Sequence, residues 1–507
     1  MKKLVILILA LLNFTGCKAQ VKKMFGERPN ILWIMIEDWG YELSCYGAKG
    51  VHTPNIDRLA SEGIRFTHSM CTSPVSSPSR SAMMTGFQQI YIGAGQHRTD
   101  GPGFVKKELP YGIKPIPHLL EEAGYYTCIL DNKTDCNFTT EKPLFIGKDW
   151  SRRKEGQPFY AQVSFNGTHR TFERVAKVKP SFGSPYMAGR DTINPVDIKA
   201  VDVPPYYPDL PFTRRDIALG MEAVQNVDRE IGKLLKRLDD EGLTKNTLVF
   251  FIGDNGYCMP RGKQFLYDEG MEVPIIARWP GYITPNQVSD NMVMAIDICA
   301  TILDAAGINP GYELHGKNLF GSEVEKRKYV FASRDKMDLT FDAMRAIRSK
   351  EFKLIQNLMP ERPYCQYNQY KEASYPILAL LNMMNLKGEL TPAQAKFMAK
   401  SKPEIELYDL LRDPFELKNL ADNPAYSSIK KELLSKLMEW RKSVNDPGVS
   451  EEFRKGGWPS TYPTRSLEEW TEIVGKWEKW LFSNPEDKAA YPDFWKLSIP
   501  FGQVKKL

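Results

Sequence analysis

The sequence predicts an α/β fold built on a largely parallel sheet, and three patterns along the chain indicate it. Apolar, β-branched runs of strand length end in polar or acidic residues, as at 31–36 and 248–252. Helical patterns lie between such runs, for example at 55–63 and 214–241. Polar residues also collect where the strands end, and the carboxyl ends of parallel strands are where such sheets bind ligands. We therefore expect a functional site at that edge of the sheet.

The N-terminal residues 1–17 resemble a targeting signal. Two lysines precede the apolar stretch 4–12, which is too short to span a bilayer and so predicts an export signal. A cysteine directly after a small residue is similar to a bacterial lipobox, in which Cys17 is lipidated. This interpretation predicts a periplasmic or cell-surface protein that meets the membrane only through the Cys17 lipid. The alternative is an ordinary signal peptide cut near Ala19.

The larger, N-terminal domain is predicted over residues 18–325, and the pattern changes after it. Within that unit, further strands are expected at 126–130 and 159–165. Residues 326–507 are interpreted as a smaller α+β subdomain with a Trp-rich tail. Its predicted elements are a hairpin at 345–355 and a helix at 429–444, which the blocks 406–410 and 413–420 precede. The tail holds five tryptophans, three of them at helical spacing, which favours core packing over a sugar-stacking platform: Trp458, Trp470, Trp477, Trp480 and Trp495.

Composition narrows the class of protein. The chain has 507 residues, of which 42% are hydrophobic and 26% charged, as in an ordinary soluble globular protein. A formal net charge of +6 is too mild for a dedicated nucleic-acid binder, so no nucleic-acid partner is expected, whereas an anionic substrate remains compatible. The eight cysteines show no regular spacing and no CxxC pair, which argues against a disulfide framework or a zinc site.

The most informative motif is the stretch from Ser76 to Gly86, which reads SSPSRSAMMTG. It fits the pattern [Cys/Ser]-x-Pro-Ser-Arg-x-x-x-[Leu/Met]-Thr-Gly and resembles the signature of the type I sulfatases, in their serine-type variant. Blocks at 28–31, 53–59, 273–281 and 406–419 are similar to other sulfatase segments, so the resemblance covers roughly residues 28–445. The block at 133–138 is similar to bacterial relatives of the N-sulfoglucosamine sulfohydrolases.

This resemblance implies a fold, a nucleophile and a partner. The implied fold is alkaline-phosphatase-like, with a large mixed, mainly parallel sheet flanked by helices. In the family, the residue at the position of Ser76 is oxidised by a maturation enzyme to formylglycine (3-oxoalanine), whose hydrate attacks sulfur. The sequence also predicts a helix over 79–85, whose N-terminus would stabilise an anion beside Ser76.

Two predicted strand ends supply oxygen-bearing side chains, Glu37 and Asp38 after one strand and Asp254 and Asn255 after another. Hard cations prefer such ligands and can polarise a sulfate oxygen. In the type I sulfatases the matching positions bind calcium, so the resemblance implies a Ca²⁺ site that includes Ser76. The family has Asp-Asp where this chain has Glu37-Asp38, which makes Glu37 the departure.

The remaining site residues also follow from the resemblance. Arg80 is similar to the arginine that steadies the formylglycine hydrate, and Lys263 to a sulfate-binding lysine. Lys133 lies in a block where the family histidine is replaced by Asp135, so a catalytic role for Asp135 is left open. His169 follows an apolar strand and matches the family histidine near the bridging oxygen, which indicates a general acid. Further candidates for substrate contact are His97, Arg98 and Arg334.

The sequence thus predicts an exported, calcium-dependent sulfatase of a sulfated polysaccharide or its oligosaccharides, such as ulvan, carrageenan or a glycosaminoglycan. Two alternatives stay open. One is a phosphomonoester or phosphonate hydrolase on the same fold, although the six histidines do not cluster as a zinc phosphatase requires. The other is a non-catalytic lipoprotein that binds sulfated glycans without conversion of Ser76. The glycan and the position of its sulfate are not readable from the sequence.

Overall fold

The computed structural model describes residues 28–97, 106–131, 133–170, 190–320, 326–338, 340–456 and 465–483, with the backbone alone at 177–178 and 186–187. The predictions on the signal peptide, Cys17, Arg98, Trp458 and Trp495 lie outside the described residues. Within the described ranges, no helix is both long enough and apolar enough to cross a membrane.

A mixed sheet forms the centre of the fold, and its seven described strands follow the chain as β1 Asn30–Ile36, β2 Ile64–Met70, β3 Tyr126–Ile129, β4 Phe159–Phe165, β5 Thr247–Gly253, β6 Ile275–Arg278 and β7 Gln287–Met294. Their spatial order is β7-β2-β6-β5-β1-β4-β3. Only β6 among them runs against its neighbours, and the other adjacent pairs are parallel. All residues of β1, β4 and β5 are buried, as the apolar runs predict for central parallel strands.

Helices flank this sheet and continue through the C-terminal part. In the described chain they are α1 Pro54–Ser61, α2 Ser76–Thr85, α3 Ile116–Glu122, α4 Pro211–Asp240, α5 Asp268–Met271, α6 Asp297–Ala305, α7 Gln369–Ser374, α8 Pro376–Lys387, α9 Pro392–Phe397, α10 Ser427–Ser443, α11 Glu451–Lys455 and α12 Leu467–Leu481. Pro211 begins α4, where a missing N–H costs nothing. The long helix α4 buries the apolar stripe that the sequence predicts at 214–241.

A second, antiparallel sheet lies in the C-terminal part, with strands β8 Val330–Arg334, β9 Met344–Arg348, β10 Phe352–Asn357 and β11 Ile405–Asp409 in that order. Helix α10 packs on β9 and β10 over a small apolar core. Trp470, Trp477 and Trp480 of α12 are buried where this helix packs on α8 and α4, so the core interpretation of these three residues is confirmed. The predicted α/β fold with a mainly parallel sheet is confirmed, while the boundary at 325/326 stays a prediction.

The helix after Ser76 begins earlier than the sequence predicts. The expected helix covers 79–85, whereas α2 begins at Ser76 itself. Pro78 explains the difference, because proline is tolerated in the first turn of a helix, where its missing N–H has no partner to lose. Ser76 is therefore the first residue of the helix and does not precede it.

Candidate active site

The site lies at the carboxyl ends of five parallel strands. Ile36, the last residue of β1, pairs with Gly253 of β5 on one side and with Phe165 of β4 on the other. The residues that follow these three strands therefore emerge side by side. Strands β2 and β3 end at the same edge and lead into the segments that carry Ser76 and Lys133. This is the edge of the sheet where parallel α/β folds bind ligands.

Three buried carboxylates meet at this edge. Glu37, Asp38 and Asp254 are each 0% exposed, and one oxygen from each lies within 4.8 Å of the others. The backbone N–H of Asp38 donates to Asp254 Oδ1 at 2.9 Å. Asp38 adopts a left-handed backbone, with φ of 51°. Gly253 allows the chain after Asp38 to pass over the end of β5, because a Cβ there would lie 2.2 Å from the Trp39 carbonyl oxygen.

Ser76 lies at the N-terminus of α2, and its hydroxyl meets Asn255, the residue directly after Asp254 of this carboxylate cluster. Its Oγ donates to Asn255 Oδ1 at 3.2 Å. The N-cap residue of α2 is Val75, which has no polar side chain to cap the helix, so backbone N–H groups of the first turn stay available. A helix N-terminus of this kind favours negative charge. Ser76 is thus placed where negative charge is stabilised.

Arg80, one turn later on α2, joins the separate strand ends. Its Nε donates to Asp254 Oδ2 at 2.8 Å and its Nη1 donates to Ser164 Oγ at 2.8 Å. Its Nη2 donates to Glu37 Oε1. The guanidinium is 1% exposed, so these are buried, charge-assisted hydrogen bonds that fix both carboxylates.

Two lysines and a histidine complete the cluster. Lys133 Nζ donates to Glu37 Oε2 at 2.8 Å. Lys263 Nζ donates to both carboxylate oxygens of Asp38, at 2.7 and 2.6 Å. His169, just after the turn Asn166–Thr168, places its Nε2 3.8 Å from Asp38 Oδ2. Three cations, Arg80, Lys133 and Lys263, therefore balance the three buried carboxylates.

These charges set the ionisation of the site. Burial by itself would raise the pKa of Glu37, but the charges of Arg80 and Lys133 outweigh it and hold this pKa below its usual value. Burial acts in the same way on Asp38, whose pKa is lowered by the charge of Lys263. Burial lowers the pKa of His169, although the Asp38 carboxylate opposes this effect. Both acidic groups are thus ready to act as anionic ligands.

The donor set fits a hard divalent cation. Oxygens of the three carboxylates lie around one point, Asn255 directly follows Asp254 in the chain, and no cysteine or histidine is a member of the acidic group in the described residues. Oxygen-only sets suit calcium or magnesium and not zinc. The lowered pKa values of Glu37 and Asp38 keep the ligands deprotonated, as binding of a cation requires.

The structure does not bring every candidate to this cluster. His97 lies close by, because its Nδ1 and the Ser77 Oγ are joined by a hydrogen bond of 2.7 Å. Arg334 is 1% exposed, donates to Asp342 and packs over the Phe265 ring, so it offers no surface to a substrate. Arg334 is the last residue of strand β8 in the second sheet and is buried, so the structure does not support its expected role in substrate contact. Asp135 is exposed and has a left-handed backbone, with φ of 54°.

Some residues of the site have no signal in the sequence. The centre of the Tyr370 ring lies 5.8 Å from the centre of the His169 ring and 5.4 Å from Lys263 Nζ. Lys371 is buried, and its Nζ donates to the carbonyl oxygens of Pro260 and Lys263, which holds the segment that carries Lys263. Both belong to α7, more than a hundred positions from Lys263. Only the tertiary packing brings this helix to the site.

The fold and the site together define a class of hydrolase that acts on charged phosphoryl or sulfuryl esters. Comparison with known families narrows this class. The profile described as Sulfatase matches residues 29–147 and 145–308, and the profile described as N-sulphoglucosamine sulphohydrolase, C-terminal, matches residues 256–374. The chain belongs to the sulfatase family. This confirms the predicted resemblance to the serine-type members of the type I sulfatases and to the relatives of N-sulfoglucosamine sulfohydrolase. It is therefore a sulfuric ester hydrolase.

Individual relatives agree with this family. An ulvan-active sulfatase of Formosa agariphila is 32% identical over 471 residues, covering 86% of this chain and 78% of the relative. The N-sulphoglucosamine sulphohydrolase of Homo sapiens is 28% identical over 473 residues, covering 83% of this chain and 92% of the relative.

Solved structures share the fold. A 2-O GAG sulfatase is similar with a TM-score of 0.60 and 20% identity, covering 87% of this chain and all of that chain. A phosphonate monoester hydrolase of Agrobacterium radiobacter is similar with a TM-score of 0.58 and 18% identity, covering 84% of this chain and 99% of that chain. The alkaline-phosphatase-like fold is thus confirmed, and it is shared by enzymes that act on sulfur and on phosphorus.

Proposed function

We propose that the chain is an exported sulfatase that removes sulfate from a sulfated polysaccharide or its oligosaccharides, with Ser76 as the source of the nucleophile. The observation that carries this proposal is the position of Ser76. Ser76 begins α2, and its hydroxyl donates to Asn255, which directly follows Asp254 of the three buried carboxylates that three cations balance. Ulvan and glycosaminoglycans are the leading substrates, since an ulvan-active sulfatase is among the relatives and a 2-O GAG sulfatase is among the similar structures.

Ser76 needs activation, because a serine hydroxyl is a weak nucleophile at neutral pH. We propose that a formylglycine maturation enzyme oxidises it to the aldehyde, whose hydrate supplies the attacking oxygen. Ser76 is 3% exposed in the folded chain. The maturation enzyme would therefore act before folding is complete, while the segment around Ser76 is still accessible.

The surrounding side chains would then divide the work. Attack by the hydrate oxygen, which gives up its proton, forms a new S–O bond and breaks the bond between sulfur and the sugar oxygen, so the sulfate is now an ester of the hydrate. Loss of the proton from the other hydroxyl of the hydrate would re-form the aldehyde and expel the sulfate, and addition of water would restore the hydrate. His169 would donate its Nε2 proton to that departing oxygen. Lys263 and Lys133 would hold the sulfate oxygens, and Arg80 would keep Glu37 and Asp254 in place while negative charge builds up. His97 and Arg98 would contact the saccharide.

We propose calcium as the cofactor, held by Glu37, Asp38, Asp254 and Asn255 together with the converted Ser76. Bound there, the ion would neutralise the sulfate and polarise one of its oxygens. The oxygen-only donor set and the lowered pKa values of Glu37 and Asp38 support this choice over zinc.

The N-terminal pattern supports a location in the periplasm or at the cell surface, with a lipid on Cys17 as the anchor. A sulfated polysaccharide is too large to enter a bacterial cell readily, so an anchored enzyme would meet it outside the inner membrane. Labelling with a radioactive fatty acid should mark the wild-type chain and should fail to mark Cys17→Ser. Equal labelling of both would contradict the anchor.

Sulfate release from a panel of glycans tests the proposed function. The mature enzyme should release sulfate from ulvan, heparan sulfate or carrageenan fragments, and Ser76→Ala should release none. Ser81→Ala is the matched control, because Ser81 lies on the same helix and, among the described residues, its hydroxyl contacts backbone groups alone: it donates to the Ser77 carbonyl oxygen at 2.6 Å and accepts from the Asn137 N–H at 2.8 Å. Turnover of phosphate or phosphonate esters without turnover of any sulfate ester would instead support the phosphohydrolase alternative.

A further inference from the structure

A large cleft lies away from the carboxylate cluster, between segments that flank the first sheet and the edge of the second sheet. Its volume is about 540 Å³, which is within the usual range of small-molecule sites. The segment after α2, the segment 313–317, the start of β8 and the end of α10 form its walls. We call it the basic-aromatic cleft, and define it by Tyr91, Lys317, Lys328, Tyr329, Phe331 and Trp440.

The cleft is separate from the proposed catalytic site but connected to it. Helix α2 begins at Ser76, and the chain enters the cleft at Phe87, just after the helix ends. Ten helical residues span about 15 Å, so the cleft lies roughly that far from Ser76. The segment that leaves the cleft at Tyr91 returns to His97, beside Ser77. One stretch of chain therefore joins both places.

Aromatic rings form one part of the cleft. Phe331 and Trp440 stack with their centres 5.2 Å apart and their planes 4° from parallel. Phe87 and Tyr91 stack in the same way at 5.3 Å. Tyr91, Tyr329 and Phe331 are half-buried, so each keeps a part of its ring in the open cleft. Flat, partly exposed rings are suited to the apolar faces of sugar rings.

Cationic side chains form the other part. Among the described residues that line the cleft, four are lysine or arginine and one, Glu313, is acidic. Arg327 is bound to the buried Asp297, so its charge is already paired. Lys328 is 72% exposed and meets the exposed Glu432 at 2.8 Å, and Lys317 meets the exposed Glu313 at 3.6 Å. Such exposed pairs are weak, so an incoming anion competes for these lysines at little cost.

A buried amide adds a polar contact that the protein itself leaves unused. Gln88 is 3% exposed and lines the cleft, and its Oε1 has no hydrogen-bond partner among the described residues. In the described part of the chain, its Nε2 meets the Met294 sulfur alone, at 3.9 Å. A buried amide oxygen without a partner costs free energy unless a ligand donor satisfies it. A sugar hydroxyl is such a donor.

We propose that the basic-aromatic cleft is a second binding site for the anionic polysaccharide. One part of a polysaccharide molecule would lie in the cleft while a sulfate on another part of the same molecule reaches Ser76. This inference rests on the proposed function for the identity of the glycan. Binding at two places makes the second contact intramolecular and raises the apparent affinity for long chains alone. A disaccharide is too short to reach both sites.

The experiment compares long and short substrates in the mature, full-length enzyme. The double variant Lys317→Ala with Lys328→Ala should lower kcat/KM for the polysaccharide about tenfold, mainly through KM, and kcat/KM for a sulfated disaccharide by less than about twofold. The control is Lys142→Ala with Lys236→Ala, which removes two exposed, ion-paired lysines from other surfaces. It should leave the ratio of the two substrates unchanged.

Equal effects on both substrates, no effect on the polysaccharide, or an equal loss in the control would overturn the second site. Affinity electrophoresis keeps this inference separable from the proposed function, because it needs no turnover. A gel that contains the sulfated polysaccharide should retard Ser76→Ala strongly, and the added cleft substitutions should remove most of this retardation. If the enzyme hydrolyses no glycan yet shows this pattern, the proposed function fails and the second site stands. Retardation that survives the cleft substitutions would refute the second site.

Discussion

Removal of the Arg80 side chain should be costly, and calcium should offset part of that cost. The guanidinium is buried and donates to Asp254, Ser164 and Glu37. Arg80→Ala leaves two buried carboxylates with less compensation, and a buried ion pair that loses one partner typically costs about 3–5 kcal/mol. Against a typical stability of about 5–15 kcal/mol, that loss is large.

A divalent cation at the carboxylate cluster changes this expectation in a specific way. The ion would supply positive charge at the place where Arg80 is lost, so calcium should recover part of the 3–5 kcal/mol in this variant. Arg345 offers a matched control. It is 0% exposed and is also paired with two carboxylates, Asp335 and Asp446, but it lies in the second sheet. Arg345→Ala should cost a similar amount, and calcium should recover none of the loss.

Urea and thermal unfolding, each with calcium and with a chelator, measure the effect. The gain in stability on adding calcium should be larger in Arg80→Ala than in the wild-type chain, and in Arg345→Ala it should equal the wild-type gain. A cost below about 1 kcal/mol for Arg80→Ala in chelator would refute the argument that its ion pairs are buried. The same extra calcium response in both variants would refute a cation site next to Arg80.

Three further predictions concern the metal, the leaving group and acid stability. Asp254→Ala should lose both bound metal, measured by atomic emission, and turnover. After chelation, calcium should restore the activity of the wild-type enzyme better than zinc does, and restoration by zinc alone would contradict the oxygen-only site. His169→Ala should depress hydrolysis of a sulfated saccharide about 10²- to 10⁴-fold and that of an activated aryl sulfate far less, measured as sulfate release; equal losses would remove the general-acid role. Asp446→Asn should destabilise the fold by roughly 1–2 kcal/mol at neutral pH. Burial would raise the pKa of Asp446, but hydrogen bonds from Arg345 lower it to about 2. The contribution of Asp446 to stability is therefore present above about pH 4 and is lost as the pH falls through 2. A difference in melting temperature between wild type and Asp446→Asn that stays constant down to pH 2 would argue against it.

The central sheet and most of the candidate site follow from local patterns in the sequence. Strands β1, β4 and β5 are continuous apolar runs, and the polar residues directly after them mark the strand ends. Parallel pairing brings those ends to one edge, so Asp38, Asp254 and His169 meet although they are far apart in the chain. This part of the site is readable because it depends on one rule of sheet geometry.

The other part depends on packing between distant segments and has no local signal. Tyr370 and Lys371 reach the site because α7 packs beside the segment that carries Lys263. Arg334 ends β8 and is buried against Phe265 and Asp342, which a cation near the end of a predicted strand does not reveal. Ser77 and His97 form a hydrogen bond that neither position predicts alone.

The most direct test of the account is the chemical state of Ser76 set against turnover. Mass spectrometry of the tryptic peptide that ends at Arg80, from protein made in its native host, should show the loss of two hydrogen atoms at Ser76. Across preparations that are converted to different extents, sulfatase activity should rise in proportion to the converted fraction and should be absent where none is converted. Full sulfatase activity from protein whose Ser76 is an unmodified serine would contradict the account.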